Sequence, residues 1–389
     1  MSRDASAAVP AVAREREGRV QARFAGEVLL VTGFPSHLAQ SLVRLLAERE
    51  PEARLWLIVP PTELEAAARA LASSSLPPEQ LRLIPGEPCA IDLGLSRQTY
   101  AEVARSVNRW FALYQTTDQR APRELCFRVN LGGAREVAEL SRVAENMANV
   151  TFLSNSLVFG DHQGEVSEEQ LDVGQSFRSP AAESLGRAEA LLRRKLADVP
   201  LSIARTPQVL GARGQAAPSR PSGLHRLLAT ILTTPGEVLP LPPGANRVVP
   251  ALPADFVAEA LYLVSALGTR GHSYHFADPE PPSLAEVLEQ AAPHFGKRLE
   301  PGFDARALGR MLMNGPGLWF SQAGARVLAE WAEGPRLATR NGDRLLERAG
   351  LRAPSLLGYL DHVLRETEEL QQAHRFEERH CSVPFEVVA

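Results

Sequence analysis

The chain is poor in cysteine. It has 3 in 389 residues, Cys89, Cys126 and Cys381, with no paired spacing. That argues against a disulfide framework and a Cys-x-x-Cys metal cluster, and it points to a reducing, cytoplasmic compartment. No apolar run approaches the roughly 20 residues that cross a bilayer, so no membrane span is expected. Basic charge is not in excess: 42 Lys and Arg stand against 46 Asp and Glu, a net charge of −4. A nucleic-acid footprint is therefore absent. The first 25 residues are rich in Ala and Arg but have no apolar signal core, and they read as a flexible leader. There is no internal repeat. What is present, 44% hydrophobic and 23% charged residues, is ordinary for a globular protein long enough for one large domain or two moderate ones.

The most informative stretch runs from Glu27 to Leu46. Val28 to Val31 is a short apolar run that predicts a buried strand, and Thr32 to Ser36 a tight turn. Leu38, Leu42, Leu45 and Leu46 then recur at helical spacing. A dinucleotide-binding turn places glycines at intervals of three, and here those positions hold Gly33, Ser36 and Ala39. Gly33 suits the tight turn, and Ala39 can still pack helix on strand. Ser36 adds a side chain where the backbone would approach a pyrophosphate. The candidate cofactor contacts are Gly33, Pro35, Ser36 and Leu38.

Further strands are expected at Ala53–Val59, Leu81–Gly86, within Val103–Leu113, at Val150–Asn155 and at Leu201–Arg205, with helices between them. Thr62 with Glu65, and Ser283 with Glu286, have the spacing of capping boxes. The alternation predicts an α/β fold, a Rossmann-like doubly wound parallel sheet over 26–215 joined by a returning strand near 272–277. A mostly helical C-terminal lobe is expected over 216–373 and a tail over 374–389. The apolar alternation of His380–Ala389 suits strand addition or a disordered tail equally.

Taken together, Thr32-Gly33-Phe34-Pro35, Ile91 to Ser96, Val129-Asn130 with Gly133, Ser154 to Gly160, Glu165 to Pro180, Arg205 to Gly211 and Asp278 to Pro282 resemble the extended short-chain dehydrogenase/reductase superfamily. The chain is most similar to the branch of thioester reductases and fatty acyl-CoA reductases. The resemblance implies hydride chemistry with NAD or NADP, a Tyr that exchanges a proton, a Lys four residues later that lowers the Tyr pKa, and a Ser or Thr after the fifth strand that binds the substrate oxygen. In this chain the Tyr position holds Ala181, the Lys position Leu185 and the Ser/Thr position Asn155. Pro60 stands where a basic residue would hold a 2′-phosphate, so NADP preference lacks support. Neither Ala181 nor Leu185 has an exchangeable side-chain hydrogen.

These departures predict an atypical, catalytically impaired member that binds a small molecule or a protein partner. The alternatives are a reductase of an acyl thioester, aldehyde or ketone with a substitute donor such as Tyr114, His162 or water, and an interaction protein with no nucleotide. By the same resemblance, a homodimer would form through the helices around Gly133–Asn146 and Ser184–Lys195. His37 reads as a surface histidine at a helix start, Asp161-His162 as a solvated loop, and Arg205 as support for the loop after strand six. His272 and His275 lack a third ligand, so no metal is expected.

Overall fold

The computed structural model describes residues 23–72, 77–119, 121–213, 218, 221–232, 236–241, 245–300 and 334–380. In chain order its principal elements are β1 (Val28–Thr32), α1 (His37–Arg49), β2 (Arg54–Val59), α2 (Leu64–Ala72), β3 (Leu81–Pro85), α3 (Arg97–Ser106), β4 (Arg109–Ala112), α4 (Gly133–Val143) and β5 (Asn149–Asn155). They continue as α5 (Pro180–Lys195), β6 (Leu201–Thr206), α6 (Gly223–Leu232), α7 (Ala254–Leu267), β7 (Ser273–His275), α8 (Leu284–Ala291), α9 (Arg340–Arg348) and α10 (Leu360–His380).

The seven strands form one sheet in the order β7-β6-β5-β4-β1-β2-β3, and every pair is parallel. Parallel strands covered on both faces need apolar residues at every position, and all of Val28-Leu29-Leu30-Val31-Thr32 is buried. Successive residues face opposite sides. Leu29 and Val31 join the core under α1 and α7, while Val28 and Leu30 join the core under α3, α4 and α5. The direction of winding reverses between β1 and β4, which opens a crevice beyond their carboxyl ends. A third core joins Leu224 and Leu228 of α6, Leu288 of α8 and Val363 and Leu364 of α10. The expected α/β sheet is present, and helices dominate the described residues of the C-terminal part; 301–333 of the expected lobe lie outside the described residues.

Local expectations divide. The Ser283 box forms, with Oγ accepting from the Glu286 N–H at 3.2 Å and Glu286 accepting from the Ser283 N–H at 2.7 Å. The Thr62 box does not. Pro61–Glu63 makes a 3-10 turn with no side-chain cap, because a proline at the first position starts the turn ahead of Thr62. Glu65 pairs with Arg69 instead. Phe24, inside the expected leader, is buried, and its N–H donates to Glu50 at 2.8 Å. Residues 1–22 of that leader and 381–389 of the tail lie outside the described residues.

Candidate functional site

The turn after β1 is held by backbone geometry. Gly33 has φ +96°, and a Cβ there would lie 2.9 Å from the Leu113 carbonyl carbon at the end of β4. Gly33→Ala is therefore expected to destabilise the fold by about 2–3 kcal/mol through a strained φ and a backbone clash, read as a lower denaturant midpoint. Ser36 is exposed and caps α1, its Oγ accepting from the Ala39 N–H at 3.4 Å. The Pro35 carbonyl accepts from Gln40 Nε2 at 2.7 Å. Leu38 turns its side chain into the core, so any ligand contact there would come from its backbone.

A dinucleotide is the cofactor this fold implies, and the residues fit it unevenly. The close approach of Gly33 to β4 and the partial positive charge at the N-terminus of α1 suit a pyrophosphate. The sequence resemblance puts the proton-transfer positions at Ala181 and Leu185, whose side chains carry no exchangeable hydrogen. Ala181 is 0% and Leu185 1% exposed. Leu185 packs with Val158, Phe159 and Val166 in a small apolar cluster. Asn155 is buried at the end of β5, with its amide engaged: Oδ1 accepts from the Leu157 N–H at 3.0 Å, and Nδ2 donates to the Pro207 carbonyl at 3.2 Å. Lys195, farther along α5, pairs with Glu139.

Beside these positions lies a buried polar network. Glu189 of α5 accepts from Ser154 Oγ at 2.9 Å and from Arg205 Nε at 3.0 Å. Arg205 also donates to the Glu168 carbonyl at 3.1 Å and to His275 Nε2 at 2.7 Å. Burial alone would raise the Glu189 pKa, but the Arg205 guanidinium beside it brings it below the ordinary carboxylate value. Arg205 thus ties β6 to α5, β7 and the segment before α5.

The other candidates separate. Tyr114, just past β4, has its phenol pushed up by burial and then by Glu87. Cys89 donates to Glu87 Oε1 at 3.2 Å, and burial with Glu87 pushes its thiol up to about 12. Asp161 accepts from the Ser176 N–H at 2.7 Å. His272 is exposed and His275 buried, so they do not converge. Among the described residues no group of three His, Cys, Asp or Glu is placed to hold a metal ion.

A further cluster is invisible to local sequence patterns. Ser222 Oγ lies 2.8 Å from His225 Nδ1, and His225 Nε2 lies 3.0 Å from Glu366 Oε2 on α10. His362 Nε2 stands 3.3 Å from Glu366 Oε1, outside hydrogen-bond geometry, so Oε1 accepts no hydrogen bond. The carboxylate presses on Gly211, where a Cβ would come within 1.5 Å of Oε1. His37 belongs to the same surroundings and corrects the reading of a surface histidine. Its Nε2 is buried without a partner. Burial lowers its pKa; Glu366 opposes that shift, while His362, Arg44 and His225 reinforce it. The one local hint was the i, i+3 spacing of Ser222 and His225 at a helix start.

No curated protein matches the chain. Among solved structures, the terminal R domain from the myxalamid PKS-NRPS biosynthetic pathway aligns with TM-score 0.72 at 20% identity, over 92% of each chain. The reductase (R) domain of a nonribosomal peptide synthetase from Mycobacterium tuberculosis aligns with TM-score 0.68 at 18% identity, over 91% of this chain and 93% of that one. The dTDP-glucose 4,6-dehydratase from Bacillus anthracis, solved with NAD, aligns with TM-score 0.62 at 14% identity, over 89% of this chain and 98% of that one. At such identities the likeness establishes the fold. The sequence model of the NAD-binding family described as male sterility protein matches residues 31–261. The chain belongs to that family.

Proposed function

We propose that this protein is a catalytically impaired member of its family, a ligand- or partner-binding protein that keeps the nucleotide-binding framework without its proton relay. The observation that carries this reading is the burial of Ala181 and Leu185, the latter in an apolar cluster. Gly33, Ser36 and the first turn of α1 would hold the pyrophosphate of NAD or NADP. A bound nicotinamide would supply or accept a hydride. This chain's own groups at the family positions supply no proton: an alanine methyl and a leucine side chain cannot exchange one, and Asn155 is spent on the backbone. General acid–base assistance contributes about 10²–10⁴-fold, so its loss leaves little turnover.

The experiment is a titration of the purified protein with NADH and NADPH, followed by assays on long-chain acyl thioesters and aldehydes. Binding without measurable hydride transfer is the expected result, and robust turnover rejects the reading. A second reading rests on Tyr114. Its half-buried phenol keeps its proton at neutral pH, and its backbone nitrogen lies beside the turn of Gly33, where an added Cβ would sit 3.1 Å away. If Tyr114 is a substitute donor, Tyr114→Phe abolishes whatever turnover the wild type has.

A further inference from the structure

We propose that Ser222, His225 and Glu366 form a nucleophile relay that hydrolyses acyl esters or thioesters, an activity that needs no nucleotide and stands apart from the reading above. The bond pattern fixes the roles of the atoms. The Ser222 backbone N–H can only donate, and it reaches His225 Nδ1 at 3.1 Å. Nδ1 is therefore the bare nitrogen, and the ring hydrogen sits on Nε2, which donates to Glu366 Oε2 at 3.0 Å. The Ser222 hydroxyl then donates to the same Nδ1 at 2.8 Å. Hydroxyl, imidazole and carboxylate follow one another at the separations that an activated serine requires, and such relays are recognised by geometry and not by chain order.

Burial follows the same logic. His225 and Glu366 are each 1% exposed, which shields base and carboxylate from water, while Ser222 is only part-buried and can be reached. Glu366 is locked in place by Gly211 on one side and faced by His362 on the other. Ser222 immediately precedes α6, whose positive end favours the negative charge that develops on an acyl oxygen.

The chemistry balances with water alone. Oγ attacks the acyl carbon as its proton passes to Nδ1, where the Ser222 N–H gives way. The carbon–oxygen or carbon–sulfur bond to the leaving group breaks, and the leaving group takes the proton from Nδ1. Water then attacks the acyl-serine by the same route. The acid is released and Ser222 regains its hydrogen, with nothing oxidised or reduced.

The same pair also caps α6, since the His225 N–H reaches Ser222 Oγ at 3.4 Å. Asparagine caps a helix as well as serine does but offers no nucleophile, so Ser222→Asn separates the two roles. The full-length chain would be treated with a fluorophosphonate probe and mapped by mass spectrometry. It would also be assayed, with no nucleotide present, on p-nitrophenyl butyrate and on butyryl-CoA. We expect labelling at Ser222 and turnover of at least one substrate, the preferred one defining ester or thioester. In Ser222→Asn, labelling is lost and turnover falls by at least about 100-fold with an unchanged melting temperature, and Glu366→Gln lowers turnover by at least roughly tenfold. An unlabelled Ser222 in the folded wild type overturns the proposal, as does Ser222→Asn retaining turnover. Wild-type labelling decides the matter even where a variant fails to fold.

Discussion

Leu185→Lys is expected to destabilise the protein by about 3–5 kcal/mol, the cost of a buried charge without a partner. Lysine is the residue the superfamily resemblance places there, so a superficial reading would call the change a restoration. The packing says otherwise. Leu185 is 1% exposed, and Val158, Phe159 and Val166 surround it. An ammonium there must shed its hydration, lose its proton or force the cluster apart, and each route costs stability. The change also brings no hydride transfer, because position 181 still lacks a phenol. Denaturant titration of wild type and variant measures the loss. An unchanged midpoint would mean that the side chain reaches water and that the cleft is open at this point.

Acidification is expected to weaken the fold from about pH 6.5 downward, with His275 as the first cause. Burial, and then the adjacent Arg205 guanidinium, push its pKa down to about 3. Its Nδ1 is 2.9 Å from the Ala338 carbonyl and its Nε2 accepts from Arg205, so both nitrogens are used in the neutral ring. A depressed pKa means that the folded state favours the neutral form. The stabilisation is therefore complete above the unfolded value of about 6.5 and is lost as pH falls towards 3, by up to about 1.4 kcal/mol per pH unit. Glu189 adds to the loss at lower pH, since its pKa is lowered in the fold and its pairing with Arg205 disappears on protonation. Glu168 works in the opposite sense, because burial raises its pKa. Unfolding free energies at pH 7, 5.5 and 4 give the slope. His275→Gln, which can keep a donor and an acceptor, is expected to flatten it between pH 6.5 and 4.5. An equal slope in the variant would assign the acid sensitivity elsewhere.

Much of the framework could be read locally. The run Val28–Thr32, the turn at Gly33 and the leucines of α1 lie within one short stretch, and their periodicity is a property of neighbouring residues. The box at Ser283 was legible for the same reason. The box at Thr62 failed because Pro60 and Pro61 impose their own turn. The burial of His37 escaped the local pattern because the charged groups that face it, His225 on α6 and His362 and Glu366 on α10, lie far along the chain.

By itself, the amino-acid sequence determined the winding of the sheet and, through the resemblance, the expectation that Asn155, Ala181 and Leu185 stand at the family's catalytic positions. Strand and helix periods, and spacing along one helix, need no knowledge of distant neighbours. Only the tertiary structure decided that Leu185 is sealed in apolar packing and that Glu366 meets His225 across 141 residues of chain. Burial and long-range hydrogen bonds are set by how the cores of α1, α6 and α10 come together, and side-chain pairing across such a separation leaves no local pattern in the sequence.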